Sequence, residues 1–441
     1  MLIQKKRFEK IYFLTIFLYI LILYLRSPQI LLEGRFFAEE GSIFWSFSLA
    51  NSFLDTLLYT PIIQGYFGLN TNIQILLSNL FPLQYSPLVT VWTSIFISLL
   101  PSIAYFNLTK SSETDLHRLL VSISFLLLPS LNFLEVFANS INSQTYLGVT
   151  SFIIIIKGFN RDTNKLHKLE LFILFLSFFS GYYSLILLPV LFARLLIEKN
   201  KKIILPIIFG FISGIINLNV LFYALNNKAL YEGKLDSNTD LNYFLSIFKK
   251  SLILNLFTEK YFTNQTLGNI LLFLFLVLTI YIFMSYNVKN KIEFFYIYLA
   301  LVLEVILIFI GQAGETYDQR YAVVVPTIVS FILINFLKRY KLEKYFLIFL
   351  IFIGCLNFNF QRADYFIDCK EFCISWQDQI SSIDNNPIIV HWPLGEGEPY
   401  WYTNFKDPKP NPAPFQIEIL GDGYLQFYEV TLVYIFNSNF N

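Results

Sequence analysis

The sequence predicts an all-α polytopic membrane protein of about eleven transmembrane helices, and three observations predict it. Of the 441 residues, 55% are hydrophobic and only 14% charged, with a mean hydropathy of +0.56. That composition is far too apolar for a soluble chain of this length. Apolar runs near membrane-spanning length recur along the chain. Finally, Lys and Arg collect in alternate loops, as they do where cationic segments resist translocation.

Taken in order, the first run spans about 9 to 26 and follows Lys5, Lys6, Arg7 and Lys10. It resembles the charged and apolar regions of a signal peptide, but it lacks a small-x-small cleavage site and is read as an uncleaved first helix. Further runs fall at about 86 to 106, 117 to 134, 143 to 157, 169 to 183, 184 to 198, 203 to 224, 268 to 287, 293 to 311, 321 to 337 and 344 to 360. The fifth and sixth are joined by Gly181-Tyr182-Tyr183-Ser184, a tight turn with little sequence to spare. With the N-terminus inside, every predicted inner loop is basic, from Lys110 and Arg118 through Lys157, Arg194 and Lys289 to Lys338, Arg339, Lys341 and Lys344. An odd number of spans then leaves the C-terminal segment on the outer side.

Residues 1–360 form the transmembrane domain, and 361–441 an extracytoplasmic C-terminal segment. Three predicted outer segments exceed simple connectors: 27–85, about 225 to 267, and the tail. The first carries apolar stretches at Ile43 to Leu58 and Ile73 to Phe81, expected as helices lying in the membrane interface. In the tail, 387–390 and 423–435 read as strands, so a small α/β or β-rich cap is expected there.

A formal net charge of +1 gives no reason to expect a nucleic-acid partner. The three cysteines have no C-x-x-C or Cys/His metal spacing, so neither a metal nor another cofactor is expected. Cys369 and Cys373, four residues apart, either pair in an oxidising compartment or stay reduced. His117 and His167 fall in basic loops and read as surface residues.

The densest polar group is Glu33-Gly-Arg35-Phe-Phe-Ala-Glu39-Glu40-Gly41, directly after the first helix and beside Phe36, Phe37, Phe44 and Trp45. Desolvation there would lift a carboxyl toward useful general-base values, although an acidic turn capping an interfacial helix has the same composition. Adjacent residues point in different directions, so one of Glu39 and Glu40 is expected to face a given cavity. Arg320, between Asp318 and Tyr321, is placed for an anionic ligand or for a local ion pair; Arg35 has the same two readings with Glu33 and Glu39. Asn139, Asn142 and Gln144 offer amides to sugar hydroxyls or caps to a helix. Gln64 and Tyr66 could line a groove, and Tyr66 could equally belong to an interfacial aromatic belt. Glu304, deep in the ninth run, is an ionisable group at membrane depth. His391, in His391-Trp392-Pro393, could reach over an outer cavity.

The aromatic-Ala38-Glu39-Glu40-Gly41 core, then Gln64-Gly65-Tyr66, Asn139-Ser-Ile-Asn-Ser-Gln144, Gln319-Arg320-Tyr321 and the Cys-x-x-x-Cys-x-x-Trp tail together resemble bacterial membrane proteins of the GT-C glycosyltransferase superfamily. The resemblance implies transfer of a sugar from a polyprenyl-phosphate carrier to a glycan, lipid or protein acceptor, at the outer face of the bacterial inner membrane. It also implies a catalytic base from the first outer loop, with Glu40 the leading position and Glu39 the alternative. The commoner family pattern has Glu-Asp where this chain has Glu39-Glu40. Arg35, Gln64, Tyr66, Asn139, Asn142, Gln144, Arg320 and His391 are then expected to contact donor or acceptor. Two other classes compete: a lipid-linked glycan flippase or transporter, which should carry several mid-membrane charges, and an O-antigen polymerase or ligase, which should rely on outer arginines in late loops.

Overall fold

A computed structural model describes residues 2–26, 28–37, 39–127, 138–160, 167–226, 265–285, 288–311, 324–360, 376–385, 387–391 and 402–408. Arg320, Cys369, Cys373, the 423–435 run and most of the 225–267 segment lie outside the described residues.

Among the described residues the chain is mostly helical with few strands, and the described part of each apolar run lies largely on a helix. These are α1 (Leu2–Arg26), then short α2 (Pro28–Leu32), α3 (Ser46–Ala50), α4 (Phe53–Leu57) and α5 (Leu69–Ser78) in the segment after it. There follow α6 (Ser86–Leu108), α7 (Asp115–Leu127), α8 (Ser140–Lys157), α9 (Lys168–Phe178), α10 (Tyr183–Glu198) and α11 (Ile204–Asn226). The later helices are α12 (Gln265–Ser285), α13 (Val288–Gly311), α14 (Val324–Lys338), α15 (Glu343–Phe360) and α16 (Trp376–Ser381), the last followed by strands β1 (Ile388–Val390) and β2 (Tyr402–Asn404).

Local chemistry sets several boundaries. Pro87 occupies the first turn of α6, where its missing N–H costs nothing. α8 starts at Asn139, whose side-chain oxygen accepts the Asn142 N–H at 2.8 Å. α9 opens on a reciprocal box in which His167 accepts from Leu169 and Glu170 reaches back to the His167 N–H at 2.9 Å. Two continuous helical stretches, Leu83–Leu108 and Lys201–Asn226, are long and apolar enough to cross a membrane. At 26 residues each they extend roughly 39 Å, beyond a hydrocarbon thickness of about 30 Å.

Helix α6 packs on α7 and α8, α10 on α11, and α7 on α15. Phe331 of α14 sits at the centre of this packing, with ring centroids 5.6 Å from Tyr105, 5.9 Å from Phe125 and 5.7 Å from Phe152. Outward-facing apolar side chains are numerous, including Phe13, Phe17 and Leu25 of α1, Phe211 and Phe222 of α11, Phe273 of α12 and Phe352 of α15.

The connections meet at two separate ends. At one, Lys110 lies 3.6 Å from Glu9, Lys157 is 2.6 Å from Glu293, and Lys338 pairs with Glu113. Nearby, Arg194 is bidentate to Glu198 at 3.0 and 2.9 Å, donates to the Ile155 carbonyl and lies over the Tyr296 ring. His117, expected at the surface, is buried there with its Nε2 3.2 Å from the Tyr105 hydroxyl. It lies only two residues into α7, on the face that turns toward α6. At the other end gather the segment after α1, the start of α8, the α9–α10 turn and the C-terminal strands.

In the segment after α1, Phe53, Leu54, Leu80 and Phe81 are exposed. By contrast, α5 is wedged against α6 and α8, where most of its polar side chains find hydrogen-bond partners. Asn70 donates to the Ser143 hydroxyl at 2.7 Å, Asn72 to the Tyr59 carbonyl at 2.8 Å, and Gln74 bridges Ser143, Thr93 and Ser94.

Candidate functional site

The first turn of α8 organises the acidic segment. Its N-terminal N–H groups lack helical partners and carry the positive end of the helix dipole. Glu40 answers that end: one carboxylate oxygen accepts the Ser140 N–H at 2.8 Å, and the other accepts the Phe37 N–H at 2.9 Å. Glu40 is fully buried, 0% exposed. Burial pushes its carboxyl upward, opposed by the hydrogen bonds from Phe37, Ser140 and Thr90. Glu39, one position earlier, is only partly buried. Of the two, Glu39 is the carboxylate with solvent exposure.

Glu40 begins a π-helical turn, Glu40–Trp45, that runs into α3. The Ser46 hydroxyl donates to the Gly41 carbonyl at 3.1 Å, which steadies this wide turn. Single π turns recur at functional sites because the extra residue re-aims neighbouring side chains.

The other expected site residues divide. Gln144, on the face of α8 one turn after Ser140, donates to the Tyr66 hydroxyl at 2.9 Å, and Tyr66 meets Tyr182 edge-on at 5.3 Å. Tyr182 in turn donates to the Gly65 carbonyl at 2.7 Å. This partly buried cluster lies on the same helix end as Glu40. Asn139 uses its side-chain oxygen as the α8 cap, and Asn142, which supplies the capped N–H, is buried. Gln64 is buried in the 3-10 turn Ile62–Gln64. Arg35 is 8% exposed, and burial brings its guanidinium down to about 10, with Glu33 opposing; it remains a cation at neutral pH. Glu304 is buried within α13, and its Oε2 has no hydrogen-bond partner among the described residues.

His391 does not reach over a cavity in this arrangement. It is fully buried against Phe36 (5.9 Å), Trp45 (5.7 Å) and Trp376 (6.3 Å), with Nε2 2.8 Å from the Thr403 hydroxyl. Burial, with the Arg35 charge second, lowers its imidazole to about 3, so it is neutral. Trp376 also donates to the Leu83 carbonyl at 3.2 Å, which ties the C-terminal segment to the start of α6.

Three contributors were not evident from sequence. Asn217, inside the apolar α11, accepts the Phe67 N–H at 2.9 Å and donates to the Gly181 carbonyl at 3.0 Å, locking the Gln64–Tyr66 strand of chain to the α9–α10 turn. Its signal was an amide four residues after Ser213, on the same helix face. Tyr182 was visible only as part of a turn, and Thr403 carried no local signal. Among the described residues no group of His, Cys, Asp and Glu could hold a metal ion.

Compared with known proteins, the chain matches no family, no curated protein and no solved structure.

Proposed function

We propose that this protein is a membrane glycosyltransferase that moves a sugar from a polyprenyl-phosphate carrier to a cell-envelope acceptor, with Glu39 as general base and Glu40 as the anchor that holds it. One observation carries the reading: two adjacent carboxylates in the segment that follows α1 and α2 have opposite environments, Glu40 sealed against the α8 N-terminus and Glu39 partly open. A base needs access to its proton donor, and a neighbour locked by two backbone N–H groups gives it a fixed position.

In this scheme the acceptor hydroxyl attacks the anomeric carbon and loses its proton to Glu39. The anomeric C–O bond to the carrier breaks, and polyprenyl phosphate leaves with the bonding electrons. Arg320, from its sequence position and the GT-C resemblance, neutralises the carrier phosphate. Tyr66, Gln144 and Tyr182 offer hydroxyl and amide groups for a sugar beside the acidic turn.

The same reading takes the eleven apolar helices as spans of a bacterial inner membrane, with the acidic segment and C-terminus on the outer face. Two facts support it. Segments assigned to one side by charge meet one another, through Lys110–Glu9, Lys157–Glu293 and Lys338–Glu113 at the basic end and through Glu40–Ser140 and Trp376–Leu83 at the other. Large apolar side chains also face outward along several helices, as a lipid solvent requires.

The test uses purified protein in lipid nanodiscs, a polyprenyl-phosphate-linked sugar and an envelope extract as acceptor source, with release of polyprenyl phosphate followed over time. Wild type should release it, and Glu39→Gln should lower the rate by about 100-fold to 10,000-fold, the usual contribution of a positioned base. Equal rates for wild type and Glu39→Gln would refute the assignment.

A further inference from the structure

We propose that the C-terminal segment is a positioning clamp for the acidic pair, with His391 as its wedge and Thr403 as its latch. The inference deepens the glycosyltransferase reading, but its contact rests on geometry alone. A Cβ built on Gly41 would clash with the His391 imidazole, 2.6 Å from its Cε1 and closer still to Nδ1 and Cγ. Glycine is therefore required next to Glu40 because a residue 350 positions later occupies the space a side chain would take.

The wedge is held on both sides. Its Nε2 meets Thr403 on β2 at 2.8 Å, and the Thr403 hydroxyl contacts both the Ser46 hydroxyl and, at 3.4 Å, the Gly41 carbonyl. β1 and β2 pair antiparallel, with Ile389 opposite Thr403 and Val390 opposite Tyr402, so the ladder fixes Thr403 directly and His391 as the residue that follows β1. Three aromatic rings complete the seat: Phe36 and Trp45 are 4.9 Å apart, and Trp376 stands edge-on to both at 5.6 and 5.8 Å. Phe36 and Trp45 flank Glu39 and Glu40 in sequence, so the clamp grips the acidic turn from before and after. The 0% exposure of His391 makes it a positioning residue rather than a substrate ligand.

The experiment labels carboxyls of the full-length protein in nanodiscs with a water-soluble carbodiimide and glycine ethyl ester, and reads Glu39 and Glu40 separately by mass spectrometry. In wild type Glu39 should label and Glu40 stay protected. His391→Ala and Gly41→Ala should each raise Glu40 labelling about tenfold, the opening expected when a packed contact is emptied or overfilled. Because both act on one contact, the double variant should label no faster than His391→Ala alone. His391→Gln, which keeps a polar group toward Thr403, should restore protection, and Thr403→Val, which keeps the wedge, should open Glu40 to a smaller degree. In the polyprenyl-phosphate release assay, His391→Ala should lower kcat with the donor KM unchanged. Protection of Glu40 in both His391→Ala and Thr403→Val, or multiplied effects in the double variant, would overturn the clamp. Absence of donor turnover in wild type would instead sink the glycosyltransferase reading, and the labelling pattern would still decide the clamp.

Discussion

Replacing Glu40 separates an anchoring role from a catalytic one. Its two carboxylate oxygens accept the Phe37 N–H at 2.9 Å and the Ser140 N–H at 2.8 Å, and Ser140 is fully buried while Phe37 is half-buried. Glu40→Ala leaves both donors without this acceptor, and each such loss costs about 1 to 3 kcal/mol. The total is then about 2 to 6 kcal/mol, toward the lower half because water can reach Phe37. Glu40→Gln keeps one carbonyl oxygen but turns an NH2 group toward the other donor, so about 1 to 3 kcal/mol should be lost. Stability should therefore fall in the order wild type, Gln, Ala, read as resistance of the 27–60 segment to a soluble protease in nanodiscs. Glu39→Gln should remain as resistant as wild type while losing turnover. Equal resistance of Glu40→Ala and wild type would refute the anchoring argument.

Other consequences are equally concrete. Asn217→Ala removes the bracket between Phe67 and Gly181, and thermal unfolding should report a loss of about 2 to 4 kcal/mol, against a smaller change for the half-buried Asn219→Ala, whose amide bonds the Ile215 carbonyl of its own helix. The lowered value of His391, about 3 against an ordinary 6.5, means its contribution to folding is complete above pH 6.5 and is lost as pH falls toward 3. Tail docking should weaken by about 1.4 kcal/mol per pH unit through that window, measured by protease release of the C-terminal segment, and His391→Gln should flatten the slope. Arg320→Gln should weaken binding of a polyprenyl-phosphate-linked sugar by about 10-fold to 100-fold, the value of a hydrogen bond to a charged group; unchanged affinity by calorimetry would leave Arg320 as a local ion pair.

The helical character was legible because a 15-to-20-residue apolar run leaves few alternatives, and the described part of each run lies largely on a helix. Ile73 to Phe81 shows the limit. An apolar stretch read as interfacial belongs in part to α5, whose Asn70 and Gln74 are buried in hydrogen bonds to Ser143, far along the chain. Hydropathy registers polarity but not where its partners are. The acidic turn could be found as a cluster, yet the different environments of Glu39 and Glu40 depend on Ser140, a hundred positions away. For the same reason Asn139 and His391 could be named but not assigned. The Asn139 side chain is taken by its own helix, and His391 is buried by Phe36 and Trp45 from a distant segment together with Trp376. No local pattern announces Thr403, because its importance arises only when the tail folds back on Gly41.

The most direct test of the central claim compares envelope glycans, by mass spectrometry, in cells lacking this protein and in the same cells supplied with wild type, Glu39→Gln or Arg320→Gln at matched membrane levels. The account predicts that one sugar increment disappears without the protein, returns with wild type, and stays absent with Glu39→Gln while polyprenyl-phosphate-linked sugar accumulates. Identical glycans and identical carrier pools in the wild-type and Glu39→Gln cells would contradict it.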